Sequence, residues 1–377
     1  MDNRKIKIAF FLPNLEAGGA ERNVVNIINN INREKYKIIL VLGKKEGDFI
    51  KEINKNTLIV DLDTSNSFGL FLRLIKYFKK ERFGIFVSAF SRINIICLAA
   101  KIFSRANIKI VATEHAVFSF LPIIAKTAGR RFFARFFLPY ISKIIYPKAD
   151  AIICVSRGIA EDLLKIVCCR EKIKVIYNPI INDKIYELAE EPVDDLPFLN
   201  SEIPIILAVG RLVKCKDYSI LFKAFSLVLE KQAVRLVVLG KGPEGDKLRQ
   251  FVDDLSLSKD VIFMGFKKNP YKYMKRASVF ILSSLQEGFG NVLVEAMACG
   301  TPVISTNCAF GPGEIIENGK SGILVPVADP RALAEAIIRV LNDRVLARKL
   351  SEQGKKRAAH FSIEESVKKY EEIFDEL

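Results

Sequence analysis

The sequence predicts an α/β protein built from two doubly wound parallel-sheet domains. Short β-branched patterns alternate with amphipathic helical patterns, which is typical of parallel sheets covered by helices on both faces. This alternation occurs twice, before and after an acidic stretch without periodicity. The chain has 377 residues, half of them hydrophobic, and is therefore long enough to bury two cores.

The first domain is predicted at residues 1–182 and the second at residues 205–360. Strand patterns of the first domain lie at 6–12, 36–42, 57–61, 84–88, 108–113 and 151–155. Those of the second lie at 205–209, 234–240, 261–265, 279–283, 302–306 and 322–327. The acidic, proline-bearing residues 183–204 are predicted to be an interdomain linker. Residues 361–377 form a predicted C-terminal helix, for which packing back on the first domain and packing on the second both remain open.

Composition excludes several classes of protein. The longest apolar runs have the length of a strand and fall far short of the ~20 residues that span a bilayer. The charged start of the chain lacks the hydrophobic segment of an export signal, so we expect a cytosolic protein. The seven cysteines contain no Cys-x-x-Cys pair and the chain has two histidines, which excludes an ordinary zinc site.

Positive charge is concentrated in the first half of the chain. Residues 1–179 contain 31 Lys or Arg and 15 Asp or Glu, whereas residues 180–377 contain 27 and 28. The formal net charge of +15 therefore comes from the first domain. This distribution predicts one basic surface that serves a partner.

Two segments have residues suited to phosphate groups. Gly18 and Gly19 follow the first strand and precede a helix, where glycines let a ligand approach the backbone and free N–H groups favour phosphate. A tight turn without a ligand is the alternative. In the second domain, Arg211 and Lys216 stand at the carboxyl edge of the first strand, where two cations could neutralise a departing diphosphate. A solvated basic loop is the alternative there.

A glycine-containing turn into a helix separates two carboxylates, Glu287 and Glu295. A phosphate is favoured at the N-terminus of such a helix, and carboxylates accept hydrogen bonds from sugar hydroxyls. The residues of this turn are Gly288, Phe289, Gly290 and Asn291. An exposed helical glutamate is the simpler interpretation of Glu295, but its neighbours are apolar, and a carboxylate among them usually has a specific partner.

In this order, these segments resemble the retaining glycosyltransferases of family 4, which have the GT-B fold of two Rossmann-like domains facing across a cleft. VVLGKGPEGDKL at 237–248 and SGILVPVADP at 321–330 add to the resemblance, which covers nearly the whole chain. It implies transfer of a hexose or N-acetylhexosamine from a nucleotide sugar, commonly a UDP-sugar, in the assembly of bacterial surface polysaccharide or oligosaccharide.

The resemblance also implies roles for single residues. Glu287 would contact the transferred sugar and Glu295 the ribose hydroxyls. Arg211 and Lys216 would hold the diphosphate, which the two glycines of the first domain would also approach. His115 matches a position beside the donor sugar, and a purely structural histidine is the alternative.

The family needs no divalent metal, and the chain has no Asp-x-Asp in a suitable loop. We therefore expect no metal site, no cofactor besides the nucleotide sugar, and full activity in EDTA. No covalent nucleophile is obvious. This favours a front-face displacement, in which the departing phosphate oxygen accepts the proton of the acceptor.

A basic aromatic segment lies between Glu114 and Asp150. It contains no acidic residue and combines cations with paired phenylalanines, a composition that suits an anionic bilayer surface. The residues that carry this prediction are Arg130, Arg131, Phe132, Phe133, Arg135, Phe136 and Phe137. We therefore expect peripheral binding at the inner face of the cytoplasmic membrane, with a lipid-linked saccharide as acceptor. Core phenylalanines beside a solvated basic face are the alternative.

Two other functions remain open. A UDP-sugar 2-epimerase of the same architecture would share the donor site, but it would change the donor sugar without an acceptor. A nucleic-acid-binding protein would explain the basic domain through phosphate contacts, but the sequence has no recognised nucleic-acid motif. We therefore expect no nucleic acid among the partners.

Overall fold

A computed structural model describes residues 5–16, 18–81, 84–120, 128–195 and 203–377, without the side chains of residues 120, 128–131 and 133–135. The chain divides into two compact units, Met1–Pro179 together with Ile363–Leu377, and Ile180–Ser362.

Each unit contains one parallel sheet in its described residues. The strands of the first are β1 (Ile6–Leu12), β2 (Tyr36–Leu42), β3 (Leu58–Asp61), β4 (Ile85–Ala89), β5 (Lys109–Glu114), β6 (Ala151–Cys154) and β7 (Ile173–Val175). They lie in the order β3-β2-β1-β4-β5-β6-β7. The strands of the second are β8 (Ile205–Val209), β9 (Arg235–Leu239), β10 (Val261–Gly265), β11 (Val279–Leu282), β12 (Val303–Thr306) and β13 (Ile323–Val325). They lie in the order β10-β9-β8-β11-β12-β13.

Helices connect these strands. They are α1 (Gly19–Asn30), α2 (Ser67–Lys80), α3 (Ser91–Ser104), α4 (Ala128–Ile145), α5 (Arg157–Leu164), α6 (Asp183–Glu190), α7 (Tyr218–Leu229), α8 (Gly245–Asp254), α9 (Tyr271–Arg276), α10 (Asn291–Ala298), α11 (Pro312–Ile315), α12 (Pro330–Asn342), α13 (Arg344–Ala358) and α14 (Ile363–Glu376). Short 3-10 turns lie at Asp48–Glu52, Phe118–Phe120, Tyr146–Lys148, Arg170–Lys172, Lys214–Lys216 and Ala359–Phe361. The prediction of two Rossmann-like parallel sheets is confirmed.

Both faces of the first sheet are covered, which explains why its strands read as continuous apolar runs. Successive side chains of β1 point to opposite faces. The ring of Phe10 lies 6.3 Å from that of Phe374 on α14. The ring of Phe11 lies 6.2 Å from that of Phe86, which in turn packs at 4.8 Å against Phe78 of α2. Helices from distant parts of the chain therefore pack on opposite faces of the sheet through adjacent residues of a single strand.

The last helix, α14, belongs to the first unit. Its buried residues recur at helical spacing and join the core that α1 also covers. The hydroxyl group of Tyr36 on β2 donates to the carboxylate of Asp375, which also pairs with Lys35. The hydroxyl group of Ser366 donates to the carbonyl of Tyr177 at 2.9 Å. Of the two packings that the sequence left open, the structure therefore has the one on the first unit.

The segment 183–204 differs from the linker that the sequence predicts. The chain passes into the second unit at Ile180, and α6 occupies the first part of the segment. Ile185 and Ala189 of this helix are buried, and the side chain of Asn269 donates to the carbonyl of Leu188 at 2.8 Å. Two buried positions in eight residues are too few to give a recognisable helical period, because most of the helix is polar and acidic.

In each sheet, the direction of strand addition reverses at one position. In the first unit this position lies between β1 and β4, and in the second between β8 and β11. Ligands of doubly wound sheets bind at the carboxyl ends of the strands beside such a reversal. The loops that follow these four strands are therefore the parts of the fold from which a site can be built.

Candidate active site

In the second unit, the loops after β8 and β11 are joined by hydrogen bonds. The backbone N–H of Leu285 donates to the carbonyl of Cys215 at 2.8 Å. The hydroxyl group of Ser283 donates to the carbonyl of Lys216 at 2.9 Å. These bonds hold residues 213–217 against residues 283–287, which were predicted as separate parts of one donor site.

Lys216 and Glu287 form an ion pair at this junction. The Nζ atom of Lys216 lies 2.5 Å from Oε1 of Glu287, and the two side chains are 18% and 10% exposed. The hydroxyl group of Ser284 donates to the same carboxylate oxygen at 2.6 Å. Lys216, which was predicted to bind the diphosphate, thus contacts Glu287, which was predicted to bind the transferred sugar. A bound donor would have to share or replace the hydrogen bonds of this pair.

Arg211 stands at the carboxyl end of β8 and is exposed. It makes no ion pair with any described residue, so its guanidinium group is accessible to an anion. A guanidinium group can bind two phosphate oxygens at once, which suits the predicted role.

The turn before α10 has a fixed backbone. Gly290 has a φ angle of +106°, in the left-handed region that side chains disfavour. Phe289 is buried, and its ring lies 5.4 Å from that of Phe361. A Cβ atom on Gly311 would lie 2.1 Å from the carbonyl oxygen of Phe289, so only glycine fits there. Gly288 and Asn291 are the outer residues of this turn, which leads directly into α10. The positive end of the helix dipole therefore favours an anion at this turn.

Glu295 lies on α10 and is partly buried. The residues on either side of it, Val294 and Ala296, are fully buried. Burial, together with the charge of Glu295, raises the pKa of the neighbouring Cys299 thiol to about 12. The predicted seven-residue separation thus places Glu287 in the loop and Glu295 in the helix, on either side of the turn.

In the first unit, Gly18 and Gly19 lie where β1 leads into α1. Gly18 is the N-cap of the helix, and no side chain caps it. A carboxylate oxygen of Glu21 lies 2.1 Å from the place of a Cβ atom on Gly18. An acidic side chain therefore already lies at this helix N-terminus. A phosphate could bind there only if the carboxylate of Glu21 moved away.

His115 follows β5, and its Nε2 atom lies 3.0 Å from the hydroxyl oxygen of Thr113. Its Nδ1 atom is buried and has no hydrogen-bond partner among the described residues. Burial lowers the pKa of His115 to about 4, so the ring is neutral at physiological pH. A neutral histidine in this position can bind a hydroxyl group but carries no charge for a phosphate.

Glu114, which the sequence analysis did not select, lies next to His115 and is buried at 1% exposure. Its carboxyl group accepts hydrogen bonds from Ser91 and Asn94, each at 2.6 Å, and from Tyr146. Burial raises the pKa of Glu114, and these hydrogen bonds act in the opposite direction. The available signal was a glutamate at the end of a strand whose other residues are mostly apolar.

The aromatic surface of α4 is partly described. The side chains of Phe132, Phe136 and Phe137 are 58%, 58% and 51% exposed. The rings of Phe132 and Phe136 lie 4.9 Å apart. These three phenylalanines are not core residues of the described structure. The remaining predicted residues of this surface, Arg130, Arg131, Phe133 and Arg135, have side chains outside the described part.

Two family models match the chain. The model described as Glycosyltransferase Family 4 matches residues 17–184, and the model described as Glycosyl transferases group 1 matches residues 196–357. Together they cover most of the sequence. The chain belongs to the family 4 glycosyltransferases.

Two named glycosyltransferases are similar to this chain. This glycosyltransferase is 29% identical to an N-acetylgalactosamine-N,N'-diacetylbacillosaminyl-diphospho-undecaprenol 4-alpha-N-acetylgalactosaminyltransferase of Campylobacter jejuni, over 94% of this chain and 95% of that protein. It is 32% identical to the lipopolysaccharide core biosynthesis glycosyltransferase LpsE of Rhizobium meliloti, over 55% and 59% of the two chains.

Solved structures with the GT-B fold resemble the whole glycosyltransferase chain. Alr3699/HepE of Anabaena in complex with UDP-glucose has a TM-score of 0.81 at 20% identity, over 99% of this chain and 100% of that one. Sucrose-phosphate synthase of Thermosynechococcus elongatus has a TM-score of 0.80 at 23% identity, over 99% of both chains. At these identities the similarity establishes the fold.

Two further findings concern metals and membranes. Among the residues of the glycosyltransferase that the structure describes, no three His, Cys, Asp or Glu side chains are grouped so that they could hold a metal ion. No described helix has both the length and the apolarity needed to cross a membrane.

Proposed function

We propose that this glycosyltransferase moves a hexose or N-acetylhexosamine, with retention of configuration, from a UDP-sugar to a lipid-linked saccharide. The observation that carries the proposal is the Lys216–Glu287 pair beside the N-terminus of α10. It combines a cation, a carboxylate and helix amides at the position where doubly wound sheets bind ligands. A relative that matches over nearly the full length acts on an undecaprenol-linked saccharide, which supports the acceptor class.

The proposed roles follow from charge and position. Arg211, Lys216 and the amides of 288–291 bind the diphosphate, because each presents positive charge or N–H groups at the carboxyl edge of the sheet. Glu287 accepts hydrogen bonds from the transferred sugar, and Glu295 accepts them from the ribose. In the first unit, Gly18 and Gly19 at the start of α1 contribute backbone N–H groups once the carboxylate of Glu21 moves away, and His115 contributes a hydroxyl-binding nitrogen atom.

The proposed chemistry is a front-face displacement without a divalent metal. The bond between the sugar and the diphosphate breaks while the acceptor oxygen attacks the same face. The departing phosphate oxygen takes the proton of the acceptor. The protein stabilises the negative charge on the diphosphate through Arg211, Lys216 and the amides of α10, which is the preorganised electrostatic contribution that such a reaction requires.

The acceptor is proposed to reach the protein at an anionic bilayer surface, on the cytoplasmic side of the membrane. The exposed rings of Phe132, Phe136 and Phe137 support this proposal, because a helix with exposed aromatics and nearby cations binds at the interface of a bilayer. Sedimentation with anionic vesicles tests it. Charge reversal at Arg130, Arg131 and Arg135 should abolish salt-sensitive binding. The same charge change on exposed residues of the second unit, Arg331, Arg344 and Lys349, should preserve it.

A panel of nucleotide sugars, studied by calorimetry, tests the donor assignment. We expect one UDP-sugar to bind the wild type, and Arg211→Ala and Glu295→Ala to weaken this binding by at least about tenfold. Arg348→Ala is the matched control, since its side chain is 83% exposed and pairs with Glu352. If no nucleotide sugar binds the wild type, the proposal is wrong. If the donor sugar is epimerised without an acceptor, the chain is an epimerase of the same architecture.

A further inference from the structure

A cluster of buried polar side chains surrounds the backbone before His115. Its members come from the end of β4, the start of α3, the end of β5 and the turn after α4. They are Ser88, Ser91, Asn94, Thr113, Glu114 and Tyr146. None of them is more than 4% exposed. We call this set the Glu114 cluster.

Asn94 is the branching point of the Glu114 cluster. Its Nδ2 group donates one hydrogen to the carbonyl of Thr113 at 3.0 Å and the other to Oε1 of Glu114 at 2.6 Å. Its Oδ1 atom accepts a hydrogen bond from the hydroxyl group of Ser88 at 2.7 Å. Both amide hydrogens and the amide oxygen are therefore used. This arrangement fixes the orientation of the amide and, with it, the position of the Thr113 carbonyl.

Counting hydrogens also fixes the direction of the bond between Thr113 and His115. The hydroxyl oxygen of Thr113 lies 3.0 Å from the carbonyl oxygen of Ser88, which can only accept a hydrogen bond. The single hydrogen of the hydroxyl group is therefore donated to Ser88. The same hydroxyl oxygen lies 3.0 Å from Nε2 of His115. Nε2 must therefore be the donor. The neutral ring then carries its hydrogen on Nε2, and Nδ1 has a free lone pair.

The Nδ1 atom is a buried acceptor without a described partner. Leaving such a polar atom unpaired costs free energy unless a ligand supplies the missing hydrogen. The backbone conformation of Phe90 is also unfavourable, because its φ angle is +76°. The N–H group of Phe90 donates to the carbonyl of Thr113 at 3.1 Å. Through the carbonyl of Thr113, the Glu114 cluster therefore also supports the backbone of Phe90 at the start of α3.

We propose that Glu114 is a positioning residue: through Asn94 it fixes the end of β5 at Thr113, and Thr113 then holds His115 as the Nε2–H tautomer, with Nδ1 available to accept a hydrogen bond from a hydroxyl group of the substrate. The substrate part of this inference rests on the proposed function. The tautomer and the role of Glu114 do not, because they follow from contacts within the first unit.

The tautomer is measurable because the chain has only two histidines. In a His360→Gln background with 15N-labelled histidine, the ring nitrogens of His115 give isolated NMR signals. We expect the Nε2–H tautomer in the absence of any substrate. Thr113→Val, which removes the hydroxyl oxygen, should produce a mixture of tautomers, and Thr113→Ser should restore the single form. An Nδ1–H tautomer in the wild type would overturn the proposal.

Glu114 is tested by a disruptive and a conservative change. Glu114→Ala leaves Asn94 without its second acceptor, so we expect loss of the single tautomer and a fall of about tenfold in kcat/KM. In Glu114→Gln, the amide oxygen can still accept from Asn94 and Tyr146, and the amide nitrogen can donate to Ser91. This variant should therefore recover both the tautomer and most of the activity.

Val111→Ala is the matched control for simple destabilisation. Val111 lies on the same strand, is fully buried and is not part of the Glu114 cluster. It should lower stability without changing the tautomer or kcat/KM. If Glu114→Ala behaves like Val111→Ala, or if Glu114→Gln is as defective as Glu114→Ala, the positioning role is wrong. A wild type that binds no nucleotide sugar would instead overturn the proposed function, since the NMR signal is recorded without substrate.

Discussion

Burial of His115 has a consequence for the pH dependence of stability. The pKa of this ring falls from its ordinary value of 6.5 to about 4 in the folded protein, because the environment disfavours the charged form. Between these values the unfolded chain binds a proton that the folded chain does not. The free energy of unfolding therefore decreases as the pH falls from 6.5 to 4, and the full loss is about 3 kcal/mol, at about 1.4 kcal/mol per pH unit.

The substitution His115→Gln removes this effect. We expect wild-type protein to lose about 2 kcal/mol more than the variant between pH 7.5 and pH 5, where most of the unfolded chains are already protonated. Burial raises the pKa of the adjacent Glu114, which acts in the opposite direction, but this group is present in both proteins. The difference between the two proteins therefore reports on His115.

Urea unfolding followed by circular dichroism measures this difference, because the chain has no tryptophan for fluorescence. The relevant transition is the one that unfolds the first unit. His360→Gln is the control and should keep the pH dependence of the wild type, since its ring is exposed. Parallel curves for wild type and His115→Gln from pH 7.5 to pH 5 would show that the surroundings of the ring do not lower its pKa.

Four other changes have defined outcomes. Lys216→Met should raise the donor Kd by about 10- to 100-fold in calorimetry, and a double-mutant cycle with Glu287→Gln should give a coupling energy of about 1–3 kcal/mol. Gly311→Ala should lower the free energy of unfolding by about 1–3 kcal/mol more than Gly319→Ala, because both glycines have positive φ angles but a Cβ atom on Gly319 meets open space. Phe136→Ser should reduce the vesicle-bound fraction in sedimentation by at least about threefold. Activity in a transfer assay should be unchanged by EDTA; a loss restored by Mg²⁺ would contradict the proposed mechanism.

Twelve of the thirteen described strands were predictable because buried parallel strands are short, β-branched and bounded by turn residues. The strand β7 was not predicted, because it has three residues and none of them is buried. The placement of α14 was not. Its amphipathic pattern shows that one face is buried, but not which core buries it. That choice depends on contacts such as the one between Tyr36 and Asp375, which are far apart in the chain. The helix α6 was missed for a different reason, since eight residues with two buried positions carry too little periodicity.

The positions of Lys216 and Glu287 were predictable, but their pairing was not. Each follows a strand that the sequence identifies, and carboxyl ends of parallel strands lie on one edge of the sheet. The ion pair depends in addition on the bond between Leu285 and Cys215, which sets one loop against the other. The role of Glu114 could not be predicted from the sequence, because its partners, Asn94 and Tyr146, come from two other elements. Only the folded sheet brings these side chains together.

The two units differ in how completely their polar side chains are hydrogen-bonded within the protein. This difference bears on where a bound donor would act. The Lys216–Glu287 pair is partly exposed, so a diphosphate and a sugar can take over its hydrogen bonds. The carboxyl group of Glu114 already has three donors within the protein, and a ligand has nothing to replace there. Because a buried, connected network moves only when several hydrogen bonds break together, donor binding should rearrange the charge pair and leave the Glu114 cluster unchanged. In the proposed function, the Lys216–Glu287 pair would then respond to the charge of the donor, and the nitrogen atoms of His115 would keep their positions.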